Sequence, residues 1–258
     1  MARLPTLFVS HGAPTFALEP GRAGLLLQAL GECLPRPKAV LVVSPHWVTR
    51  EIAVTASTRP ATIHDFGGFP DALYQLQYPA SGAPELAKTV MALLRDQGYQ
   101  AACDPRRGLD HGAWVPLRYL YPHADVPVMQ VSMPARLDPH SAWQLGEALA
   151  PLAEAGVLIV GSGSLTHNLY EFRMGHDAEA DYAWEFVHWA RQAVRAHDKA
   201  ALVDYLRQAP HGRRAHPTSE HYLPLLVAAG AGTPGGEVEV IEGGMTHGVL
   251  SMESYLFR

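Results

Sequence analysis

The sequence has few cysteines and little charge, and both shortages exclude classes of protein. Its 2 cysteines, Cys33 and Cys103, are too few and too far apart for a disulfide framework or a C-x-x-C metal or redox motif. The formal net charge is −5, and no cluster of Lys and Arg alternates with aromatic residues, so we expect no nucleic-acid partner. A reducing compartment, the cytoplasm, is expected, and small neutral or anionic substrates remain open.

Long apolar runs are also missing from this chain. No stretch is long enough to cross a bilayer, and the first residues lead into a strand pattern without the features of a signal peptide. The hydrophobic content is nevertheless 48%, which is ample for a sizeable core. We therefore expect a globular protein without a membrane partner, whose oligomeric state the sequence does not indicate.

Short β-branched runs alternate with helical patterns along the whole chain. Strands are predicted at residues 7–9, 40–43, 52–56, 126–132, 157–160 and 238–241, and helices at residues 23–30, 84–97, 142–155 and 179–197. This alternation is typical of an α/β fold with a central, mostly parallel or mixed sheet flanked by helices on both faces. No internal repeat or polar linker divides the chain, so residues 1–258 are predicted to form a single domain.

Three of the 14 histidines follow apolar runs that are predicted to be strands, namely His11, His46 and His167. The carboxyl ends of buried parallel strands open onto the crevice where ligands bind in α/β proteins. Abundant histidine with almost no cysteine favours iron(II), manganese or zinc, which imidazole and oxygen ligands bind. The pattern therefore predicts a metal site at this edge of the sheet.

A further ligand is predicted in the segment His216–Leu226, which leads into an apolar helix. Glu220 and His221 are adjacent, and neighbouring side chains on a helix point about 100° apart, so only one of them is expected to bind the ion. Glu220 would complete a set of two histidines and one carboxylate, as in many non-heme iron(II) oxygenases. His221 would complete a three-histidine site that also suits zinc.

Other segments supply candidates for proton transfer and for the pocket wall. His167 follows Gly161-Ser162-Gly163, which matches neither a dinucleotide-binding motif nor a hydrolase nucleophile elbow, and its imidazole can transfer protons near neutral pH. His111 follows Asp110, a carboxylate that could orient its ring. Residues 63–70 form a glycine-rich lid or pocket loop, and pocket-wall residues are predicted at Gly68, Phe69 and Tyr222. The remaining histidines without a chemical context are expected at the surface: His123, His140, His176, His188, His197 and His211.

Taken together, these segments resemble the class III extradiol ring-cleavage dioxygenases. The likeness is strongest to the DOPA-dioxygenase-like branch, which is related to the catalytic subunit of protocatechuate 4,5-dioxygenase. The residues that carry it run from one end of the chain to the other: Ser10-His11-Gly12-Ala13-Pro14, Ser44-Pro45-His46-Trp47, Asp65-Phe66-Gly67-Gly68-Phe69-Pro70, residues 109–114, residues 161–169, residues 216–226 and Leu250-Ser251-Met252.

The resemblance implies one catalytic domain over residues 1–258 that opens the ring of a catechol, DOPA-like or a related aromatic diol, with dioxygen to give a semialdehyde. It implies metal ligation by His11, His46 and His221, the last chosen over Glu220. His167 matches the catalytic histidine, which can also close onto the metal, and His111 matches a catalytic histidine that contacts substrate. Iron(II) is the implied working metal, and zinc(II) is possible in the purified protein.

Two other functions fit the same residues. A zinc hydrolase on this scaffold would use an open coordination position to activate water. A non-catalytic, metal-stabilised small-molecule-binding protein would lose stability on metal removal and consume no substrate. His247, in Gly244-Met245-Thr246-His247-Gly248, matches no role that the resemblance implies.

Overall fold

The computed structural model describes residues 3–175 and 178–258. Within these ranges the strands are β1 (Thr6–Ser10), β2 (Ala39–Thr49), β3 (Ile52–Thr55), β4 (Ala101–Asp104), β5 (Val128–Pro134), β6 (Val157–Gly163), β7 (Val238–Ile241), β8 (Met245–Thr246), β9 (Leu250–Ser251) and β10 (Ser254–Phe257). The helices are α1 (Gly21–Cys33), α2 (Asp71–Tyr74), α3 (Pro84–Asp96), α4 (His111–Leu120), α5 (Pro139–Leu149), α6 (Pro151–Glu154), α7 (Asp181–Arg195), α8 (Lys199–Val203), α9 (Tyr205–Gln208), α10 (Gly212–Ala215) and α11 (Leu223–Ala231), with a 3-10 turn at Pro14–Ala17.

Eight of these strands form one mixed sheet in the order β4-β3-β5-β2-β6-β1-β10-β7. Its centre is parallel, because β2 pairs in parallel with both β5 and β6, and β6 pairs in parallel with β1. The antiparallel pairs are those of β10 with its neighbours β1 and β7, and that of β3 with β5. The predicted α/β fold with a mixed central sheet is therefore confirmed.

The two faces of the sheet bury separate apolar cores. Leu7 and Val9 of β1 point to a core shared with α1 and α4, whereas Phe8 between them points to a core shared with α5, α7 and α11. The alternation follows from the strand geometry, in which successive side chains point to opposite faces. Helices therefore cover both faces, as predicted, and the central strands β1 and β6 are buried throughout.

Some element boundaries differ from those predicted. The helix expected over residues 142–155 is two helices, α5 and α6, because Pro151 has no N–H to continue the hydrogen-bond ladder of α5. Strands β4, β8, β9 and β10 were not predicted. Across residues 3–175 and 178–258, the structure contains no helix with both the length and the apolar character needed to span a membrane.

Candidate active site

Three imidazoles meet at the edge of the sheet that is formed by the carboxyl-terminal parts of β1, β2 and β6. One nitrogen from each of His11, His46 and His221 lies within 4.8 Å of the other two. These residues are separated by long stretches of sequence, so the sheet and the packing of α11 bring them together. The expected convergence of His11 and His46 at the strand ends is what the structure shows.

His11 directly follows β1, and its environment fixes which ring nitrogen faces the cavity. The backbone N–H of His11 donates to the carbonyl of Gly163 at the end of β6, at 2.9 Å. Its Nδ1 lies 3.0 Å from the Ser162 hydroxyl, which itself donates to the carbonyl of Gly112. Because that hydroxyl proton is already used, Oγ accepts from Nδ1–H, and the Nε2 lone pair of His11 is free to bind an ion.

His46 lies within β2, where the register with β5 shifts between Val43 and Val48. An irregularity of this kind turns a side chain away from the regular alternation of a strand, and such features are common beside active sites. Nε2 of His46 lies 3.1 Å from Nε2 of His11, so one ion can contact both nitrogens. On the opposite side of the ring, Nδ1 of His46 lies 3.6 Å from Oδ2 of Asp65.

His221 lies in the turn before α11, and Pro224 occupies the first turn of that helix. Two glycines of β6 let this turn approach the sheet. A Cβ atom at Gly161 would lie 2.0 Å from the carbonyl oxygen of Pro224, and one at Gly163 would lie 2.3 Å from that of His221. Any larger residue there would push His221 away from the other two imidazoles.

Of the two adjacent candidates, the structure brings His221 rather than Glu220 into the group with His11 and His46. Oε1 of Glu220 lies 3.2 Å from Nδ1 of His221. With that nitrogen beside a carboxylate, Nε2 of His221 is the one left for an ion. Glu220 therefore stands behind the third imidazole, in the manner of the carboxylates that orient metal-binding histidines.

Burial makes these imidazoles neutral, which is the form that binds a metal. Desolvation, reinforced by the neighbouring imidazoles, holds the pKa of His11 well below its usual value. Desolvation likewise lowers the pKa of His46 to about 3 and keeps the pKa of His221 far below normal. Three unprotonated nitrogen donors within 4.8 Å of one another, two of them on buried residues, fit a divalent transition-metal ion.

His167 stacks on His221 beside this group. The two ring centroids are 3.5 Å apart and the ring planes differ by 8°. The backbone N–H of His167 donates to the carbonyl of Ala215, which anchors the segment at the end of α10. Desolvation lowers the pKa of His167 to about 4, so its ring is unprotonated at neutral pH and can accept a proton.

His111 completes the cluster at the first position of α4, with its ring centroid 3.9 Å from that of His46. Asp65 joins the two histidines. Its Oδ1 accepts from the backbone N–H of His111 at 2.9 Å and lies 3.1 Å from Nδ1 of the same residue. Burial alone would raise the pKa of Asp65, but the hydrogen bonds and charge of His111, with His46, lower it to about 2.

Asp65 was not among the predicted site residues, and it takes the position that was expected for Asp110. The side chain of Asp110 instead caps α4 by accepting from the Ala113 N–H at 3.2 Å, and it accepts from Gln130 at 2.7 Å. The sequence signal for Asp65 was its position in the glycine-rich loop of residues 63–70. That loop folds back over the ends of the strands and brings its carboxylate to the histidines.

The histidines form the floor of a cavity of about 350 Å³, a volume suited to a small aromatic molecule. Its lining residues are His11, Gly12, Ala13, Pro14, His46, Phe66, Gly67, Phe69, His111, His167, Leu169, Phe172, His221 and Leu250. The three imidazoles that can bind a metal, the unprotonated His167 and aromatic side chains thus line the same small cavity.

Comparison of the sequence with known proteins identifies the family of this chain. The family model described as the catalytic LigB subunit of aromatic ring-opening dioxygenase matches residues 25–258. The chain belongs to this dioxygenase family. It is 41% identical to the 4,5-DOPA dioxygenase extradiol of Beta vulgaris, covering 98% of this chain and 96% of that protein. It is 39% identical to the protein of the same name from Escherichia coli strain K12, covering 98% and 94%.

A solved structure supports the same conclusion about the dioxygenase fold. The crystal structure of an uncharacterized protein from Escherichia coli K12 is 32% identical, covers 99% of this chain and 100% of its own, and superposes with a TM-score of 0.82. The resemblance to class III extradiol dioxygenases of the DOPA-dioxygenase-like branch is therefore confirmed, and the protein is an extradiol ring-cleaving enzyme.

Two predicted wall residues of the dioxygenase are corrected by the structure. Tyr222 is fully buried in the apolar core, where it stacks on Tyr205 at 4.0 Å and donates its hydroxyl to the carbonyl of Leu202. Gly68 does not line the cavity, whereas its neighbour Gly67 does. Phe69 does line the cavity, because the positive φ of Gly68, 77°, turns the loop back towards the histidines.

The histidines expected at the surface mostly lie there. Those that are exposed are His123, His140, His188 and His211, whereas His176 lies outside the described residues. His197 is an exception, since it is half-buried and its Nε2 bonds the carbonyl of Gly236 at 2.7 Å. His247 lies near the cavity mouth, where its Nδ1 accepts from the Gly175 N–H at 3.1 Å and its ring packs against Phe172.

Proposed function

We propose that this dioxygenase opens the ring of a catechol, DOPA-like or a related aromatic diol, at the bond next to the two hydroxyl groups and releases a semialdehyde. The observation that carries the proposal is the convergence of three neutral imidazoles on one position at the floor of a small aromatic-walled cavity. The relatives named 4,5-DOPA dioxygenase extradiol support a diol as the substrate class. We assign the whole chain, residues 1–258, to this one catalytic domain.

His11, His46 and His221 would hold the metal, for which we propose iron(II). When bound, iron(II) supplies the redox chemistry that dioxygen needs to react with an aromatic ring. The same three imidazoles suit zinc, which can occupy the site in purified protein. The stack of His167 on His221 keeps a fourth imidazole next to this set, from which it can close onto the metal.

His167 is proposed as the base that takes a proton from a catechol hydroxyl. Its ring lines the cavity, and desolvation has lowered its pKa to about 4, so it is free to accept a proton at neutral pH. Once protonated inside a buried cavity, the imidazolium is a strong donor, because burial favours its return to the neutral form. His167 can therefore return the proton to the ring-opened product.

His111 is proposed to orient the substrate by a hydrogen bond to one of its oxygens. Its Nδ1 lies against Asp65, which leaves Nε2 as the nitrogen that can reach a ligand in the cavity. Phe66 packs edge-on against the same ring at 5.6 Å and restricts its motion. Phe69 and Gly67 provide the adjoining wall, so that an aromatic ring would be held between this loop and the imidazoles.

Oxygen uptake by metal-reconstituted protein tests the proposal. Metal-free protein is loaded anaerobically with iron(II) or with zinc, then given a catechol and dioxygen. We expect uptake and a yellow semialdehyde with iron alone, and none with a His46→Ala variant. Turnover with zinc and without oxygen consumption would favour a hydrolase, and tight metal binding without consumption of any catechol would favour a binding role.

We also propose that the enzyme works in a reducing compartment such as the cytoplasm. Both cysteines, Cys33 and Cys103, are free and exposed. Exposed thiols stay reduced where glutathione and thioredoxin are present, and iron(II) is retained more easily under the same conditions.

A further inference from the structure

Two segments of the chain hold the proposed base and the third metal ligand against each other. We call residues 164–167, which end in His167, the base segment, and residues 215–221, which end in His221, the ligand segment. The rings of these two histidines stack with their centroids 3.5 Å apart. Apart from the last residue of α10, neither segment belongs to a helix or strand, so their arrangement depends on packing and on hydrogen bonds between them.

The main chain supplies two hydrogen bonds between the segments. The backbone N–H of Ser164 donates to the carbonyl of His221 at 2.9 Å, and the backbone N–H of His167 donates to the carbonyl of Ala215 at 2.8 Å. These bonds join the two ends of the base segment to the two ends of the ligand segment. The carbonyl of Leu165 lies between them in a fully buried residue, and a buried carbonyl requires a donor of its own.

His216, in the ligand segment, provides that donor. Its Nε2–H donates to the carbonyl of Leu165 at 2.8 Å, and the residue is buried. Desolvation lowers the pKa of His216 to about 4, so its ring is neutral at pH 7 and carries its one ring proton on Nε2. The other ring nitrogen, Nδ1, is buried too, and no group within residues 3–175 and 178–258 forms a hydrogen bond with it.

A buried nitrogen without a partner is unfavourable in a residue that serves packing alone. The ring of His216 lies among those of Phe186, Tyr205 and Tyr222, at centroid distances of 5.4, 5.8 and 5.2 Å. A phenylalanine would fill such surroundings without a polar atom, whereas Nδ1 of the histidine loses its hydration and regains no hydrogen bond from the described part of the chain. What the imidazole adds is the hydrogen bond to the Leu165 carbonyl.

From this arrangement we infer that His216 is a positioning residue for the ring-opening reaction: it holds the base segment against the ligand segment, so that His167 keeps its place beside His221 in the cavity. The inference rests on the proposed function, because it takes His167 as the base. A displacement of about 1 Å in a catalytic group can slow a reaction 100-fold. Loss of the bond should therefore lower kcat, whereas metal binding by His11, His46 and His221 should change little.

Three variants separate the hydrogen bond of His216 from its packing. His216→Phe keeps a flat ring among the aromatic side chains and removes the donor. His216→Gln restores a donor, because the amide nitrogen of glutamine is as many bonds from Cα as Nε2 of histidine. Tyr205→Phe is the matched control, since it removes from the same aromatic cluster a buried hydroxyl that pairs with no group of the described residues.

Oxygen uptake by the iron(II)-loaded variants is the first readout. We expect His216→Phe to lower kcat by about tenfold to 100-fold, with KM for the catechol and the zinc dissociation constant changed less than about threefold. His216→Gln should keep at least about a third of the unmodified kcat, and Tyr205→Phe should keep all of it. In a His167→Gln background, His216→Phe should lower kcat no further, because the two residues act as a unit. Full kcat in His216→Phe, equal losses in His216→Phe and His216→Gln, or additive losses in the double variant would overturn the inference.

Hydrogen exchange of the metal-free protein is the second readout, and it does not depend on turnover. His216→Phe should speed the exchange of the base-segment amides by at least about fivefold, while peptides from β2 keep their rates. His216→Gln and Tyr205→Phe should exchange like the unmodified protein. Unchanged exchange in the base segment of His216→Phe, or equal acceleration there and in β2, would contradict the inference. His216→Leu, which has fewer side-chain atoms than the imidazole, repeats both measurements if His216→Phe does not fold.

The two readouts distinguish this inference from the proposed function. Faster exchange of the base segment in His216→Phe, without oxygen uptake by the unmodified protein, would support the hold of His216 on that segment and contradict ring opening. Uptake by the unmodified protein, with the same kcat and the same exchange in His216→Phe, would support ring opening and overturn the positioning role. No uptake and no change in exchange would overturn both.

Discussion

Replacing Asp65 with asparagine should weaken metal binding, although Asp65 contacts no ion itself. Its carboxylate lies 3.6 Å from Nδ1 of His46 and 3.1 Å from Nδ1 of His111, and it accepts from the backbone N–H of His111 at 2.9 Å. The carboxylate orients His46 and favours the tautomer whose Nε2 faces the ion. Loss of such an outer partner typically costs 10- to 100-fold in metal affinity.

The structure narrows this range for Asp65. Its side chain is 20% exposed, so water screens part of its charge, and its contact with His46 is longer than a hydrogen bond. We therefore expect the lower end, a dissociation constant raised about tenfold, which corresponds to about 1.4 kcal/mol. Competition with a chromophoric chelator, with zinc as the titrated ion, measures this directly.

Asp71→Asn is the matched control for this experiment. Asp71 is exposed at the start of α2, shortly after the same loop, and its substitution removes the same charge. It should leave the dissociation constant unchanged. The account of Asp65 would be refuted if Asp65→Asn bound zinc as tightly as the unmodified protein, or if Asp71→Asn weakened binding to the same extent.

Three more predictions concern single residues of the site and core. His167→Gln should lower kcat by about 100-fold or more, because the proton transfer is lost, while it raises the zinc dissociation constant far less than His46→Ala does, because three imidazoles still hold the metal; a loss of zinc affinity as large as that of His46→Ala would contradict its role as a base. Desolvation lowers the pKa of His216 to about 4, so its contribution to stability is present above about pH 6.5 and is lost as the pH falls. Urea unfolding of metal-free protein at pH 7 and pH 5 should therefore differ by about 2 kcal/mol more than in His216→Gln; parallel pH dependences would refute this. Tyr222→Phe should lower the free energy of unfolding by about 1 kcal/mol, because the hydrogen bond to the Leu202 carbonyl is lost, and should leave KM unchanged. A raised KM at unchanged stability would indicate that Tyr222 lines the cavity.

The positions of His11 and His46 could be predicted from sequence because their signal is local. Each follows or interrupts a buried strand, and the ends of neighbouring parallel strands in an α/β sheet meet at one edge. His167 gives the same local signal, since it follows the apolar run that forms β6, and the family resemblance added its role as the catalytic histidine. The choice of His221 over Glu220 depended on the same resemblance.

Asp65 and Tyr222 could not be placed from sequence because their surroundings are assembled from distant segments. Asp65 reaches the histidines only when the glycine-rich loop folds over α4, and no pattern within that loop specifies the direction. Tyr222 stands at the entrance to an apolar helix, where it could have faced the cavity or the core. The packing of Tyr205 and Phe186 against its ring decides for the core, and both come from other helices.

The charge pattern of the cavity was likewise beyond the sequence. Arg107 and Arg173 lie outside helices and strands, and an arginine in such a segment can point towards a ligand or away from it. Both donate to backbone carbonyls. Every residue has such a carbonyl, so the sequence does not indicate which one an arginine will contact. Only the folded arrangement shows that the cavity wall is apolar.

The central claim is that the enzyme inserts both atoms of dioxygen into an opened catechol ring. Iron(II)-reconstituted protein should be given 4-propylcatechol under isotope-labelled dioxygen, and the product reduced at once, so that its aldehyde oxygen cannot exchange with water. Mass spectrometry should then find two labelled oxygen atoms in a ring-opened product. A ring-opened product without label, or a catechol returned unchanged while the metal stays bound, would contradict the account.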